Sequence, residues 1–438
     1  MSIYRKTASS RTRKLRRAAA AVLAVAVLGG ALYRWAGPAP IAPLTAPPPA
    51  PSAARLAAGA RIVALGDCMV CHTARDGAAY AGGLGLKTPF GTIYSTNITP
   101  DSETGIGSWS LPAFTRALRE GASRDGHLLY PAFPYIHYTR MSDDDIALAY
   151  AYLMTRTPVK VRQPDNELPL TLKMRPMLAF WNALYLRPGP TAPKPLTRQG
   201  SGTGSETAAA ATIERGRYLV DTLGHRAACR SGLNLIGGER QPPFQGGNID
   251  GWDAPALTQL AHGANPWTRD ELANYLRSGL SLAHGAAKGP MRPVTERLAG
   301  VPREDVEAMA SYLMSIQAPP NPAPPAPATR VHAEGARLFA AACASCHSPE
   351  APMMALSGRP PLSRSSALAS GSATNFVQTV LGGIAWEHGS QVYMPPFADI
   401  LSDQQIAALA GYVRQGAGQQ AWTDVPETSA TLRKELHP

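Results

Sequence analysis

Cys68-Met69-Val70-Cys71-His72 decides the reading of this 438-residue chain, and Cys343-Ala344-Ser345-Cys346-His347 repeats it. Two cysteines three apart can each add to a porphyrin vinyl group, and the adjoining histidine is then held beneath the iron as its first axial ligand. With 5 Cys and 10 His in the chain, one accidental match has odds on the order of one in a thousand, and two are far rarer. Together the motifs use all the cysteines but Cys229. Zinc would want about four converging Cys/His ligands, and neither motif has a second Cys pair nearby. A redox dithiol has no use for the histidine. The motifs predict two covalent haems c, on Cys68 and Cys71 and on Cys343 and Cys346, with His72 and His347 as iron ligands.

The length allows two to four domains. Hydrophobic residues make up 45% of the chain, enough for several cores, while Gly 40 and Pro 41 point to many loops. The formal charge of +11 is unevenly placed. Arg5, Lys6, Arg11, Arg13, Lys14, Arg16 and Arg17 crowd the head, and the first acid is Asp67. Without that head only about +4 remains, so no nucleic-acid partner is expected. Ala18 to Tyr33 is an uncharged apolar run between a signal-peptide core and a membrane span in length. Its basic flank predicts export of everything downstream; cleavage and retention as an anchor are both compatible with it. Residues 1–36 are read as head plus signal peptide or anchor.

Three Pro-rich stretches punctuate the chain, in 37–54, 187–211 and 318–330, and read as extended spacers. They separate three units of one plan, over 55–186, 212–317 and 331–420, with a tail at 421–438. Each unit opens on a small-residue helix containing Gly59, Gly216 or Gly335. Each closes on an acid-started helix carrying Tyr152, Tyr312 or Tyr412. Crossing first and last helices with haem between them are the plan of a class I cytochrome c domain. The expected fold is all-α, with three such domains in tandem.

Haem c of this kind takes Met as its second iron ligand. In the third unit the candidate is Met394, in Tyr393-Met394-Pro395-Pro396-Phe397, where the prolines stiffen the loop. Met353 and Met354 follow His347 too soon to cross the ring. In the first unit the candidate is Met141, just before the closing helix. Phe133 matches Met394 by position but cannot ligate iron, and His137 and His127 are the alternatives. In the middle unit the motif frame falls on Arg226, Cys229 and Arg230. Arginine is a permanent cation and no iron ligand, so this unit is expected to have lost its haem. Met291 is then an orphaned distal ligand, His225 a conceivable substitute, and Cys229 a lone thiol, either buried or open to an intermolecular bond.

The chain resembles the triheme cytochrome c subunit of membrane-bound bacterial dehydrogenases for alcohol, gluconate, sorbitol and related aldehyde or molybdenum-dependent reactions. The resemblance runs from Ala54 to Arg414. It rests on Gly91-Thr92-Ile93-Tyr94-Ser95-Thr96-Asn97-Ile98-Thr99-Pro100, Leu129-Tyr130-Pro131-Ala132-Phe133-Pro134-Tyr135, Gly251-Trp252-Asp253-Ala254-Pro255 and Met394-Pro395-Pro396-Phe397. It implies a subunit on the periplasmic side of the inner membrane. Such a subunit takes electrons from a PQQ, flavin or molybdenum dehydrogenase and passes them to ubiquinone or the respiratory chain, with no catalytic site of its own. The middle motif departs from that family. A stand-alone periplasmic haem oxidoreductase, for instance for sulfur compounds, and a cytochrome feeding a terminal oxidase are the alternatives.

Overall fold

A computed structural model of the chain describes residues 37–189, 204–262, 265–320, 332–351, 362–385 and 393–436, with Arg17 alone ahead of them. The signal or anchor run and most of the second and third Pro-rich stretches lie outside the described residues.

Helices dominate, and the same order of elements recurs in each unit. The opening helices are Ala53–Leu65, Gly204–Arg217 and Ala333–Ala342. Each packs on its unit's closing helix, Asp143–Leu153, Arg303–Ser315 or Asp403–Gly416. Glycine makes these crossings possible. A Cβ on Gly59 would stand 2.7 Å from Tyr152 Cβ, one on Gly216 2.8 Å from Tyr312 Cβ, and one on Gly335 2.7 Å from Tyr412 Cβ. In each unit the carbonyl of Leu148, Ala308 or Ala408 closes the same gap. The Gly and Tyr singled out in the sequence are therefore one contact, made three times.

The closing helices start where the caps dictate. Ser142 accepts a hydrogen bond from the Asp145 amide, and Ser402 and Gln405 form a reciprocal capping box. Between opening and closing helices each unit has a further helix, Leu111–Glu120, Arg269–Ser278 or Thr374–Gly382. Each ends on a glycine with positive φ, Gly121, Gly279 or Gly383. That glycine turns the chain back into a short antiparallel pairing, such as Leu280–Ser281 on Gly285–Ala286 and Ile384–Ala385 on Tyr393–Met394. Gly85–Thr88 pairs with Gly91–Tyr94, and Gly247–Ile249 with Trp252–Ala254. The fold is thus helical with small two-stranded ribbons rather than purely α.

The first and middle units share one continuous apolar core, running from Ile62 and Leu65 through Leu219 and Leu223 to Leu313. The third has its own, built on Leu381, Ile406 and Leu409. Two stretches read as spacer and tail are part of the folded body. Residues 37–54 strap the first unit: the Ile41 amide donates to Arg124 O at 2.8 Å, and Arg116 Nη1 to Ala39 O at 2.6 Å. Residues 421–438 contain the helix Val425–Leu436, whose Val425 and Leu432 are buried in the third core. Arg433 Nη2 ties that helix to Asp403 at 2.9 Å.

Candidate functional site

The opening helix of the first unit stops at Gly66, and Asp67 turns the chain in a left-handed conformation (φ 51°) into the one-turn helix Cys68–Cys71. His72 follows as its C-cap. Its Nδ1 is 2.6 Å from Thr96 O, in the Gly91–Pro100 stretch. With Nδ1–H donated to a carbonyl, the ring is fixed in one tautomer and Nε2 keeps its lone pair, as an iron ligand requires. Burial lowers the His72 pKa and so favours the same neutral ring. Burial, and after it Asp67, pushes the Cys68 and Cys71 thiols up to about 12. A redox dithiol needs the opposite shift. The donor set therefore fits haem c: two neutral thiols one helical turn apart, beside an oriented imidazole.

In the third unit the helix Ala344–His347 follows Cys343 directly, and the His347 amide donates to Cys343 O at 2.9 Å. Burial pushes Cys343 up to about 11. Met394 sits in its strand pair, packed on the third core, with Pro395 and Pro396 next in the chain. The segment 386–392 lies outside the described residues. Met141 is 3% exposed, next to the N-cap Ser142, and its carbonyl accepts from Arg119 Nη2 at 2.9 Å. The two histidines considered in its place are engaged elsewhere. His137 is hydrogen-bonded to Glu239 at 2.6 Å and to Asp221 O at 2.9 Å; His127 lies 2.8 Å from Asp125. Phe133 packs against Tyr135 and Tyr138.

The middle unit answers what its motif became. His225 is left-handed (φ 36°) like Asp67, and Arg226–Arg230 is the counterpart of Cys68–Cys71. The motif frame puts both guanidinium groups at an iron face, but in the fold they part. Arg226 turns to the first unit and pairs with Asp67 at 2.8 Å, with only 12% and 4% of the two side chains exposed. Arg230 remains in its own unit. Its Nη2 lies 3.5 Å from Met291 Sδ and its Nη1 3.2 Å from Pro255 O. The side chain in the place of the iron histidine thus meets the methionine read as the orphaned ligand.

His225 contacts the first unit too, with Nε2 3.4 Å from Gly66 O and its ring edge-on to Tyr138. Cys229 is close enough to add to the shift on Cys71, and burial raises its own pKa. The first and middle motif turns therefore face each other across one seam, which sequence reasoning missed.

Burial pushes His225 down to about 3, and the Arg226 charge adds to that. A histidine held neutral when folded but titrating near 6.5 unfolded takes up protons only on unfolding. Its stabilising contribution is complete above pH 6.5 and is lost progressively as pH falls from there toward 3. Asp67, raised by burial, acts in the opposite sense. We expect urea unfolding free energies of the parent to fall from pH 7 to pH 4 by on the order of a few kcal/mol more than those of His225→Gln, which keeps Asp67. Parallel pH curves for the two proteins would contradict this.

Several known cytochrome c subunits are similar to this chain. Residues 330–413 match the family model of the cbb3-type cytochrome c oxidase subunit III. The chain is 44% identical over 422 residues to a nicotinate dehydrogenase subunit of Pseudomonas putida; that covers 93% of this chain but only 34% of the relative's length. It is 33% identical to the gluconate 2-dehydrogenase cytochrome c subunit of Pantoea cypripedii, covering 86% of this chain and 89% of that protein. The corresponding figures for the quinone alcohol dehydrogenase cytochrome c subunit of Komagataeibacter europaeus are 34%, 86% and 83%. With these two relatives matched over most of their own length, the chain belongs to the family of dehydrogenase cytochrome c subunits.

Proposed function

We propose that the chain is a dihaem electron-transfer subunit of three cytochrome c domains. It takes electrons from a partner dehydrogenase of PQQ, flavin or molybdenum type and delivers them to ubiquinone or the respiratory chain at the periplasmic side of the inner membrane. The observation that carries the reading is the His72 ring, held by Thr96 O at 2.6 Å beside the Cys68 and Cys71 thiols. Haem c, when bound, supplies one-electron transfer at a potential that its axial ligands set.

The chain's own groups do the rest. Cys68, Cys71, Cys343 and Cys346 would attach the two haems, and His72, His347, Met141 and Met394 would supply the ligands to their irons. Engagement of His137 and His127 by acids supports Met141 in that role. The middle unit supplies no donor set: Arg226 neutralises Asp67, and Arg230 lies on Met291. Irons held by both His and Met would leave no open position for substrate, which separates a carrier from a stand-alone haem oxidoreductase. Carbon monoxide added to the reduced, purified protein tests this. The expected result is an unchanged Soret band; a shift on one haem would mean an open iron and an enzyme.

A further inference from the structure

The two methionines read as iron ligands sit in differently built segments. Met394 is followed by Pro395 and Pro396, and its loop is closed within its own unit, where the Phe397 amide donates to Val380 O at 2.9 Å. Met141 stands between Arg140 and Ser142, with no proline beside it. Its own unit holds the carbonyls of this segment: Arg119 donates to Thr139 O at 2.8 Å and to Met141 O at 2.9 Å. Further restraints come from the middle unit, on both sides of Met141.

Ahead of Met141, the buried His137 is held at both ring nitrogens. Its Nδ1 lies 2.9 Å from Asp221 O and its Nε2 2.6 Å from Glu239 Oε1. A carbonyl oxygen only accepts, so Nδ1 carries a proton, and the short contact opposite holds a second proton between Nε2 and the Glu239 carboxyl. The Glu239 side chain is largely buried, and its backbone pairs with Leu233 to close the loop that carries it. Asp221 is anchored in turn. The Tyr312 hydroxyl donates to its Oδ2 at 2.8 Å, and Tyr312 is the tyrosine of the middle unit's Gly216 crossing. Beyond Met141, the Ser142 amide donates to the Tyr218 hydroxyl at 3.1 Å, which itself donates to Asp145. Tyr218 and Asp221 belong to one stretch of π-helix, Tyr218–Leu223, at the end of the middle unit's opening helix. Inside the segment the Arg140 amide donates to His137 O at 3.0 Å and the Met141 amide to Tyr138 O at 2.9 Å, so a shift of His137 carries Met141 with it.

We propose that Glu239 and Tyr218 are positioning residues for the first iron site: the middle unit grips the Met141 segment on both sides and keeps its sulfur ready to ligate. This deepens the electron-carrier reading and rests on Met141 being the ligand. It gives the unit whose motif is broken by Arg226 and Arg230 a task in the first unit's chemistry. A methionine on a clamped segment is pre-organised for its iron and resists replacement by outside ligands, whereas one on a loose segment must be ordered each time it binds.

The test uses the full-length holoprotein with Met394→Leu as background, so that the red absorption band of methionine-ligated ferric haem reports the first site alone. Imidazole, an iron ligand in its own right, is titrated in, and the concentration that removes half the band measures how firmly Met141 is held. Glu239→Ala is expected to lower that concentration about tenfold, the weight of one hydrogen bond to a charged group. Glu239→Gln, whose amide can still donate to a neutral Nε2, is expected to recover most of the loss. Tyr218→Phe removes a single hydroxyl and is expected to lower the concentration about threefold; it decides the outcome if Glu239→Ala does not fold. A midpoint that neither Glu239→Ala nor Tyr218→Phe moves overturns the proposal, even where urea stability falls, because the contacts then serve packing alone. A Met394→Leu protein with no red band at all reports separately: Met141 is then not the ligand, and the reading beneath the clamp falls together with it.

Discussion

Arg226→Ala is expected to destabilise the paired first and middle units by about 3–5 kcal/mol, because it strands a buried carboxylate. Asp67 is 4% exposed, and its Oδ2 has Arg226 Nη1 at 2.8 Å. Burial raises the Asp67 pKa in spite of that cation, so the carboxylate is already under strain before its partner is removed. The pair is also incompletely satisfied: Asp67 Oδ1 and Arg226 Nε and Nη2 have no hydrogen-bond partner among the described residues. The double variant Asp67→Asn, Arg226→Met, whose Asn tolerates the left-handed turn, therefore removes the charges together at far smaller cost, and is expected to lie within about 1–2 kcal/mol of the parent on either side. Urea unfolding followed by haem absorbance and by far-ultraviolet dichroism measures both. Equal losses in single and double variants would mean that the seam depends on side-chain volume rather than on charge pairing.

The second large effect concerns the irons. Met394→Leu is expected to abolish the red absorption band of methionine-ligated ferric haem in the third unit. It is also expected to lower that haem's potential by on the order of 0.1–0.3 V, a part of the range axial ligands span. Met141→Leu is expected to do the same to the other haem and leave the first effect intact. The two sites are independent in the fold, since Met394 packs on the third core and Met141 in the core shared by the first and middle units. A Met141→Leu protein with both potentials unchanged would show that Met141 is a core residue.

Much of this was legible in the sequence because it rests on local chemistry. The haem motifs are contiguous, and the repeated Gly and Tyr lie in the opening and closing helices of each unit, where the crossing needs them. The helix at Val425–Leu436 also had a readable signal, with Glu427 in its first turn, Arg433 and Lys434 in its last, and Val425 and Leu432 on its buried side. A short amphipathic stretch after a haem unit reads as tail unless its packing partner is known. The ribbons Leu280–Ser281 on Gly285–Ala286 and Ile384–Ala385 on Tyr393–Met394 escaped because glycines at helix ends make them, not alternating apolar residues. The direction of Arg226 was beyond sequence altogether. A long side chain can turn to either side of a one-turn helix, and what drew it was Asp67, distant in sequence and adjacent only after the two motif turns met.

That seam and the Arg230–Met291 contact support the central claim of the proposed function, that the outer units carry haem and the middle one does not. Haem per polypeptide, from the pyridine haemochrome of the purified holoprotein together with its intact mass, tests it most directly. The account predicts two haems, both lost only when Cys68 with Cys71 and Cys343 with Cys346 are all replaced. Three haems, or one that survives those replacements on Cys229, would contradict it.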